Sequence, residues 1–315
     1  MRAEFAAIQQ NTVWMNELTG PIGVPEVGKI DEVCSVLWKR KGKRLRAQWV
    51  FWFGEAFRQS QDDLKLYAWA VEAIHAATLL HDDVIDKAPI RRGGPSANVL
   101  FDNTLPVLSG DYLLSDAIFQ LADKGNPILT KLMCQAVKEV TQGEVLQYES
   151  RYQIPENWDY FKKLNRLKTS SLLKWASQVG AVLATQREDP ASAAFANRYG
   201  ALYQFTDDLL DLQGSSTKEA WQDIREGKVN EVLFLLLETY PALKKGLQEG
   251  FADQTIGPSV LEELKCFSKQ KRFKNKMEEV LKWKQRECLE SVRALETNLG
   301  NILDKLVSLT VQRLS

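Results

Sequence analysis

The pattern Asp-Asp-x-x-Asp is written twice in this chain, in HDDVID from His81 to Asp86 and in QFTDDLLD from Gln204 to Asp211. Each copy closes a long apolar stretch of helical period, and burying several carboxylates there without a counter-charge is very unfavourable. Any fold open to the sequence must therefore bring both helix ends to something cationic. Glycine and proline gather at Thr19 to Gly28, Pro89 to Pro95, Gly125 to Pro127, Gly214 to Lys228 and Gly250 to Pro258. Between them, Leu64 to Asp86, Ile128 to Tyr148, Trp158 to Thr185, Ala191 to Leu212 and Val260 to Gln312 repeat apolar residues at helical intervals. Strand-like alternation is nearly absent, and no linker or long repeat divides the chain. These features predict an all-α fold, a single multi-helix domain over 1–315 in which the two clusters face each other across the centre of a bundle.

Residues four apart share a helix face, so Asp82 and Asp86 point together, as do Asp207 and Asp211, with Asp83 and Asp208 turned by about 100°. Like charges at that spacing repel unless divalent cations lie between them. An all-oxygen donor set with room for water suits Mg²⁺, which takes few carboxylates and completes its shell with substrate phosphates. Two facing clusters thus predict a diphosphate gripped from both sides. A solvated helix end is the plain alternative for one such cluster, but two, each closing an apolar helix, fit it poorly. An EF-hand needs ligands at alternate positions and a closing Glu, and HDDVIDKAPIRR offers neither. Basic residues stand nearby: Arg91 and Arg92 after the first cluster, Lys43, Arg44 and Arg46 in KGKRLRA, and Lys168, Lys218 and Lys228 beside the later helices. Singly these read as surface charges; together they read as a phosphate clamp.

Charge balance excludes other partners. Lys+Arg and Asp+Glu are equal at 41 each among 315 residues, so no global field favours nucleic acid or an anionic membrane surface. The longest apolar stretch, Tyr67 to Leu80, is interrupted by Glu72 and is shorter than the roughly 20 residues of a membrane span. Peripheral contact during release of an apolar product is the membrane role left open. MRAEFAAIQQ has no apolar run of the secretory type. Cys34, Cys134, Cys266 and Cys288 lack C-x-x-C or metal-ligand spacing and read as core thiols of a reducing, cytoplasmic compartment.

In GKRLR (Gly42 to Arg46), IHAATLLHDDVID leading into RRGGPSAN (Ile74 to Asn98), GD (Gly110 and Asp111), QGE (Gln142 to Glu144), KTS (Lys168 to Ser170) and GALYQFTDDLLD (Gly200 to Asp211), the chain resembles the trans-type, head-to-tail isoprenyl diphosphate synthases, the polyprenyl synthetases. Ordered motifs of this length are highly specific, and they run over most of the chain. The resemblance implies a homodimeric all-helical fold with a deep cavity and both aspartate motifs at its mouth. It implies a prenyltransferase that joins isopentenyl diphosphate to an allylic diphosphate, with three Mg²⁺ ions per active site. On the matching positions, Asp82, Asp86 and Asp207 resemble metal ligands, with Asp83, Asp208 and Asp211 supporting them. Arg91, Lys168, Lys218 and Lys228 resemble the clamp on the allylic diphosphate. Gly42, Lys43, Arg46, His75 and Arg92 resemble the isopentenyl diphosphate site. Thr169 and Gln204 line the site in the family, where their dipoles could stabilise a carbocation or merely satisfy neighbouring groups. His81 reads as a packed core histidine with no evident partner.

A growing prenyl tail needs an apolar tunnel along the helix before Asp82. Thr78, Ala77 and Ile74, followed by Val71 and Ala70, carry no aromatic ring. The first aromatic floor on this helix, Tyr67 or Trp69, lies about 20 Å below the cluster. That predicts a long, octaprenyl-like product, with geranylgeranyl diphosphate the alternative if Phe119 or another residue of a facing helix closes the tunnel earlier. Lys41, Tyr203, Trp221, Asn230 and Val232 depart from the family pattern, where Gly, Phe, Gly, Thr and Pro are usual, and put closure of the loop after the second motif in question. Two rival functions are a non-catalytic subunit of a heteromeric synthase, which would be expected to lose aspartates, and a terpene cyclase, which would not need Lys43, Arg46 and His75.

Overall fold

Side-chain caps fix where the helices start. Ser60 accepts a hydrogen bond from the Asp63 N–H at 3.2 Å, Asn126 from Leu129 at 3.0 Å and Asn230 from Leu233 at 2.9 Å. Each satisfies an N–H that the first helical turn leaves unbonded. The structure, a computed structural model, describes residues 25–38, 40, 42–213, 220–295 and 297–314; Lys41 and Lys218 lie outside them. In chain order the elements are α1 (Gly28–Trp38), α2 (Leu45–Ala56), α3 (Gln61–Ile85), β1 (Ile90–Arg91), β2 (Gly94–Pro95), α4 (Ala97–Phe101), α5 (Thr104–Asp123), α6 (Pro127–Glu149), α7 (Trp158–Asn165), a π-helix (Arg166–Ser170), α8 (Ser171–Thr185), α9 (Pro190–Gln213), α10 (Gln222–Arg225), α11 (Glu231–Thr239), α12 (Leu243–Ala252), α13 (Pro258–Ser268), α14 (Lys271–Val292) and α15 (Thr297–Gln312). The fold is all-α, and among the described residues the β1–β2 hairpin is the one sheet.

Two expected helical segments are subdivided. Trp158 to Thr185 carries the π-helix in its middle, and Val260 to Gln312 divides into the main parts of three helices. Periodicity misses such breaks because each piece turns its apolar face to the same core. Helix α3 is buried on nearly all sides from Leu64 to Leu80, which makes it the central element, and α2 is buried from Trp49 to Gly54 beside it. One apolar core surrounds these helices and includes Trp49, Tyr67, Trp175, Phe195 and Tyr199. A second is built from Phe161, Phe205, Trp221, Phe234 and Phe273. Helices α9 and α14 supply residues to both cores. The expectation of four core thiols needs correction: Cys34 and Cys288 are buried, Cys134 is half-buried and Cys266 is exposed on the outer face of α13. Burial, aided by Asp31, pushes the Cys34 thiol up to about 12. No described helix is long and apolar enough to cross a membrane.

Close helix contact rests on small residues. A Cβ on Gly180 of α8 would lie 2.6 Å from the Phe53 carbonyl oxygen and 2.7 Å from Gly54 Cα of α2. Both are backbone atoms and cannot yield as a side chain would. Gly180→Ala should therefore destabilise the protein by about 1–3 kcal/mol in urea unfolding. Gly246→Ala on α12, whose Cβ would meet only Val260 at 3.7 Å, should stabilise it by about 0.5–1 kcal/mol.

Candidate active site

The two cores meet at a cavity of about 350 Å³. Helix α3 presents to it the stripe His75, Thr78, Leu79, Asp82 and Asp86, spaced by three and four residues; α6, the π-helix, α9 and the segment from Asp223 to Glu231 complete the walls. The π-helix carries Lys168 and Thr169, and such local widening re-aims side chains that a regular helix would turn elsewhere. It can sit against α6 because residue 143 is glycine: a Cβ there would lie 2.6 Å from Lys168 Cγ. The QGE motif thus has two uses, since Glu144 also forms a close ion pair with Lys168, which donates to Gln147 at 2.8 Å as well.

Side-chain cations meet the first aspartate cluster. Asp83, fully buried, is paired with Arg91, whose Nε donates to it at 2.6 Å. Burial nevertheless holds the Asp83 carboxyl above the ordinary range. Asp86 is paired with Lys228 at 2.8 Å and with Arg151. Burial opposes the charge on Lys228, but Asp86 and Glu226 outweigh it and raise its pKa. The Asp82 carboxyl is pushed up to about 7 by burial and by Glu144 and Asp86, against the pull of Lys168 and Arg91.

The second cluster faces it. Asp207 pairs with Arg313 at 2.8 Å; the same guanidinium bonds the Tyr203 carbonyl at 2.8 Å and the Thr206 hydroxyl, and lies 4.3 Å from the Tyr203 ring. The Tyr-for-Phe departure at 203 thus sits beneath Arg313. Asp208 accepts from Gln204 Nε2 and from the Glu231 N–H, both at 2.9 Å, while the Thr169 hydroxyl donates to Gln204 Oε1 at 2.8 Å. Burial, reinforced by Asp223, raises the Asp208 carboxyl well above its usual range. Asp211 is buried, and its carbonyl accepts from the Trp221 N–H at 2.9 Å.

The departures in the following loop have physical roles. Trp221 adopts a left-handed backbone with φ 66°, a conformation that favours glycine, but its ring is only 3% exposed in the second core. Burial of an indole outweighs the roughly 1–2 kcal/mol of the strained backbone. Asn230 caps α11 as a threonine would and also donates to Asp223 at 2.8 Å, and Val232 is fully buried. These contacts tie the described part of the loop, from residue 220 on, to the second core and to α11, and Lys228 lines the cavity wall.

Arg46 and His75 also line the cavity. Burial and the nearby Arg46, Arg92, Arg91 and Arg44 depress the imidazole of His75 well below its ordinary value, so it is neutral at pH 7. Arg92 and Gly93, with φ 50° and 76°, form the two-residue turn between β1 and β2, and Arg92 donates to the Leu37 carbonyl at 3.3 Å. Arg40 clamps this hairpin through the carbonyls of Arg91 at 2.6 Å, Gly94 at 3.2 Å and Pro95 at 2.7 Å. Gly42 lies against the Arg92 guanidinium, where a Cβ would come within 3.0 Å. Lys43 is exposed beside it, in the fields of Arg313 and Asp207.

Two expectations need correction, for His81 and for Phe119. His81 has partners: Nε2 lies 3.2 Å from the Val107 carbonyl and 3.3 Å from Asp111, so it joins α3 to α5. The GD motif belongs to that junction, because a Cβ on Gly110 would strike the His81 ring. Of the residues expected along the tunnel, Thr78 lines the cavity, whereas Ala77 and Ile74 pack in the core. Five residues of helix turn Ala77 about 140° away from Asp82, while four leave Thr78 within about 40°. Phe119 is 65% exposed on α5 and cannot close the tunnel from within this chain. Arg151 and Arg313 carry no sequence signal because each is an isolated charge, Arg40 because it stands in the basic run of residues 39–44, and Gln147 because it is a neutral amide; the QGE motif does not by itself reveal that Glu144 pairs with Lys168.

The carboxylates supply an all-oxygen set divided between two walls, and among the described residues no three His, Cys, Asp or Glu side chains already converge on one ion. That division suits Mg²⁺ held jointly by protein and phosphate better than a cage made by protein alone. The raised Asp82 pKa marks a crowding of negative charge that a cation would relieve.

The sequence profile of the polyprenyl synthetases matches residues 27–265. A solanesyl-diphosphate synthase from Oryza sativa subsp. japonica is 36% identical over 57% of this chain and 43% of its own length. Component 2 of a heptaprenyl diphosphate synthase from Geobacillus stearothermophilus is 32% identical over 67% of this chain and 68% of its own. The crystal structure of a decaprenyl diphosphate synthase from Rhodobacter capsulatus superposes with a TM-score of 0.85 at 27% identity, covering 100% of this chain and 97% of that one. The chain thus spans under half of the rice protein and about two thirds of the bacterial component. With the profile covering most of the chain and the same fold recurring in a solved relative, the chain belongs to the polyprenyl synthetase family.

Proposed function

We propose that the protein is a Mg²⁺-dependent trans-prenyltransferase that condenses isopentenyl diphosphate with an allylic diphosphate, releases pyrophosphate and makes a long-chain product. The observation that carries this reading is one cavity lined by Asp82 and Asp86 on one wall and Asp207 and Asp208 on the other, with Arg91, Lys168 and Lys228 between them. Asp82, Asp86 and Asp207 would hold the metal. When bound, Mg²⁺ supplies positive charge against the leaving diphosphate. Arg91, Lys168 and Lys228 bind the same oxygens, and their fixed charges favour departure of pyrophosphate over the ground state. Lys218 completes this clamp by resemblance alone. Arg46, His75, Arg92 and Lys43, beside Gly42, orient the isopentenyl diphosphate, with neutral His75 contributing a hydrogen bond. The bond between the allylic carbon and the diphosphate oxygen breaks with its electron pair leaving on pyrophosphate, and the isopentenyl double bond attacks the resulting allylic cation. The adduct then loses a proton, and released pyrophosphate is the base. Thr169 and Gln204 fix the wall beside the cation, while Leu79, Val140 and Leu172 keep water from it.

Retention of all six aspartates disfavours the non-catalytic subunit, and Arg46 with His75 in the cavity disfavours a cyclase. Homodimerisation is supported by exposed apolar residues on α4, α5 and α6, namely Val99, Leu100, Leu108, Phe119, Val145 and Tyr148. Reading 1–315 as one domain is supported by the sharing of α9 and α14 between the cores. A cytoplasmic location is consistent with four free thiols.

With Mg²⁺, farnesyl diphosphate and labelled isopentenyl diphosphate, the folded protein should yield labelled prenyl diphosphates longer than geranylgeranyl. Absence of any labelled extension product would overturn the transferase reading, and a product stopping at geranylgeranyl would overturn its long-chain part. Thr78→Phe should shorten the product by at least one isoprene unit, because that side chain lines the cavity. An unchanged length distribution would place the floor elsewhere.

A further inference from the structure

An apolar stripe on α14 contains one charge. Phe273, Lys284, Cys288 and Val292 are the buried residues of this helix, and Lys284 is 8% exposed. Its Nζ lies 2.8 Å from Glu231 Oε1 and 5.3 Å from the centre of the Phe205 ring. Glu231 is 5% exposed within the otherwise apolar run of α11, and its second oxygen accepts from Asn165 Nδ2 at 3.2 Å. A buried ion pair is a weak source of stability, because desolvation of both charges offsets their attraction. What it fixes is geometry, and Glu231 and the Asn165 bonded to it each stand at the start of an element that lines the cavity. Asn165 ends α7 and leads directly into the π-helix that carries Lys168 and Thr169. Glu231 is the first residue of α11, and its N–H holds Asp208. Asp208 holds Gln204, which accepts from Thr169, so the hydrogen bonds close a ring through both walls.

We propose that the buried Glu231–Lys284 pair, through Asn165, is a positioning device that sets the distance between the second aspartate cluster and the π-helix bearing Lys168 and Thr169. None of the three acts on the reacting atoms in this assignment. Lys284 neutralises Glu231, Glu231 orients Asn165 and the start of α11, and the two walls are thereby held in one register. The assignment rests on the transferase reading. A displacement of one wall should harm the transition state more than substrate binding, since Arg91, Arg46 and the hairpin still bind the diphosphates.

The decisive comparison is wild type, Lys284→Met, Lys284→Arg and the apolar double variant Glu231→Leu/Lys284→Met, assayed for isopentenyl extension beside thermal unfolding. Apolar replacement of both charges should keep the protein folded, with a Tm at or above that of wild type. Its kcat should nevertheless fall at least ten-fold, with both KM values within three-fold of wild type. Lys284→Met should lose at least as much activity, and Lys284→Arg should recover half or more of the wild-type kcat. In the metal-free protein, amide hydrogen exchange of residues 165–170 and 231–233 should accelerate in the double variant, a readout independent of turnover. A folded double variant with wild-type kcat and unchanged exchange overturns the proposal. So does one that cannot fold, because the pair would then be structural. Absence of extension by wild type itself counts against the transferase reading, while the exchange data still decide the positioning role.

Discussion

Carboxylates crowded around a cavity that opens between two apolar cores need positive charge, and the surrounding structure is arranged to supply it. Asp83 meets Arg91, Asp86 meets Lys228 and Arg151, and Asp207 meets Arg313. Asp208 is held by neutral donors, an amide side chain and the N–H at the start of α11. The Asp82 carboxyl is pushed up to about 7 by burial and by Glu144. Arg91 and Lys228, which compensate aspartates here, are also cations of the proposed diphosphate clamp. Pairing within the protein and binding of the metal-diphosphate are therefore competing uses of one set of charges. The side chains must be close enough to neutralise one another yet free enough to turn to a ligand.

Backbone geometry makes this arrangement possible. Glycines at 143 and 180 allow α6 to approach the π-helix and α8 to approach α2. The π-helix turns Lys168 toward Glu144 and Thr169 toward Gln204. Arg40 holds the hairpin that carries Arg91 and Arg92, and Trp221 anchors the loop that carries Lys228. Most of these supports are apolar contacts or backbone hydrogen bonds. The cavity thus joins an apolar, hydrogen-bonded frame to paired charged side chains.

Much of the arrangement was legible in the sequence because its signals are local. Apolar periodicity located α3, α6 and α9, and the two aspartate patterns located their functional ends. Pairings between distant segments were not legible: Arg151 with Asp86, Arg313 with Asp207 and Lys284 with Glu231 join residues separated by 53 or more positions, and a lone charge carries no mark of its partner. His81 was misread for the same reason, since its partners stand on α5. Counting back from Asp82 does not by itself show which side chains face the cavity: at 100° per residue Thr78 shares its face with Asp82, whereas Ala77 turns toward the core. Sequence likewise does not show that, of the departures in the loop, Trp221 is a core anchor and Asn230 a helix cap, because both roles depend on distant packing and local backbone geometry.

The account makes metal and diphosphate mutually dependent ligands of the two aspartate clusters. Calorimetric titration of the protein with inorganic pyrophosphate, in Mg²⁺ and then in EDTA, tests this most directly. Saturable binding in Mg²⁺ that falls at least ten-fold in EDTA, and also falls at least ten-fold in Asp207→Ala with Mg²⁺ present, is the expected result. Equal pyrophosphate binding with and without metal would contradict it, because the arginines and lysines alone would then be the diphosphate site.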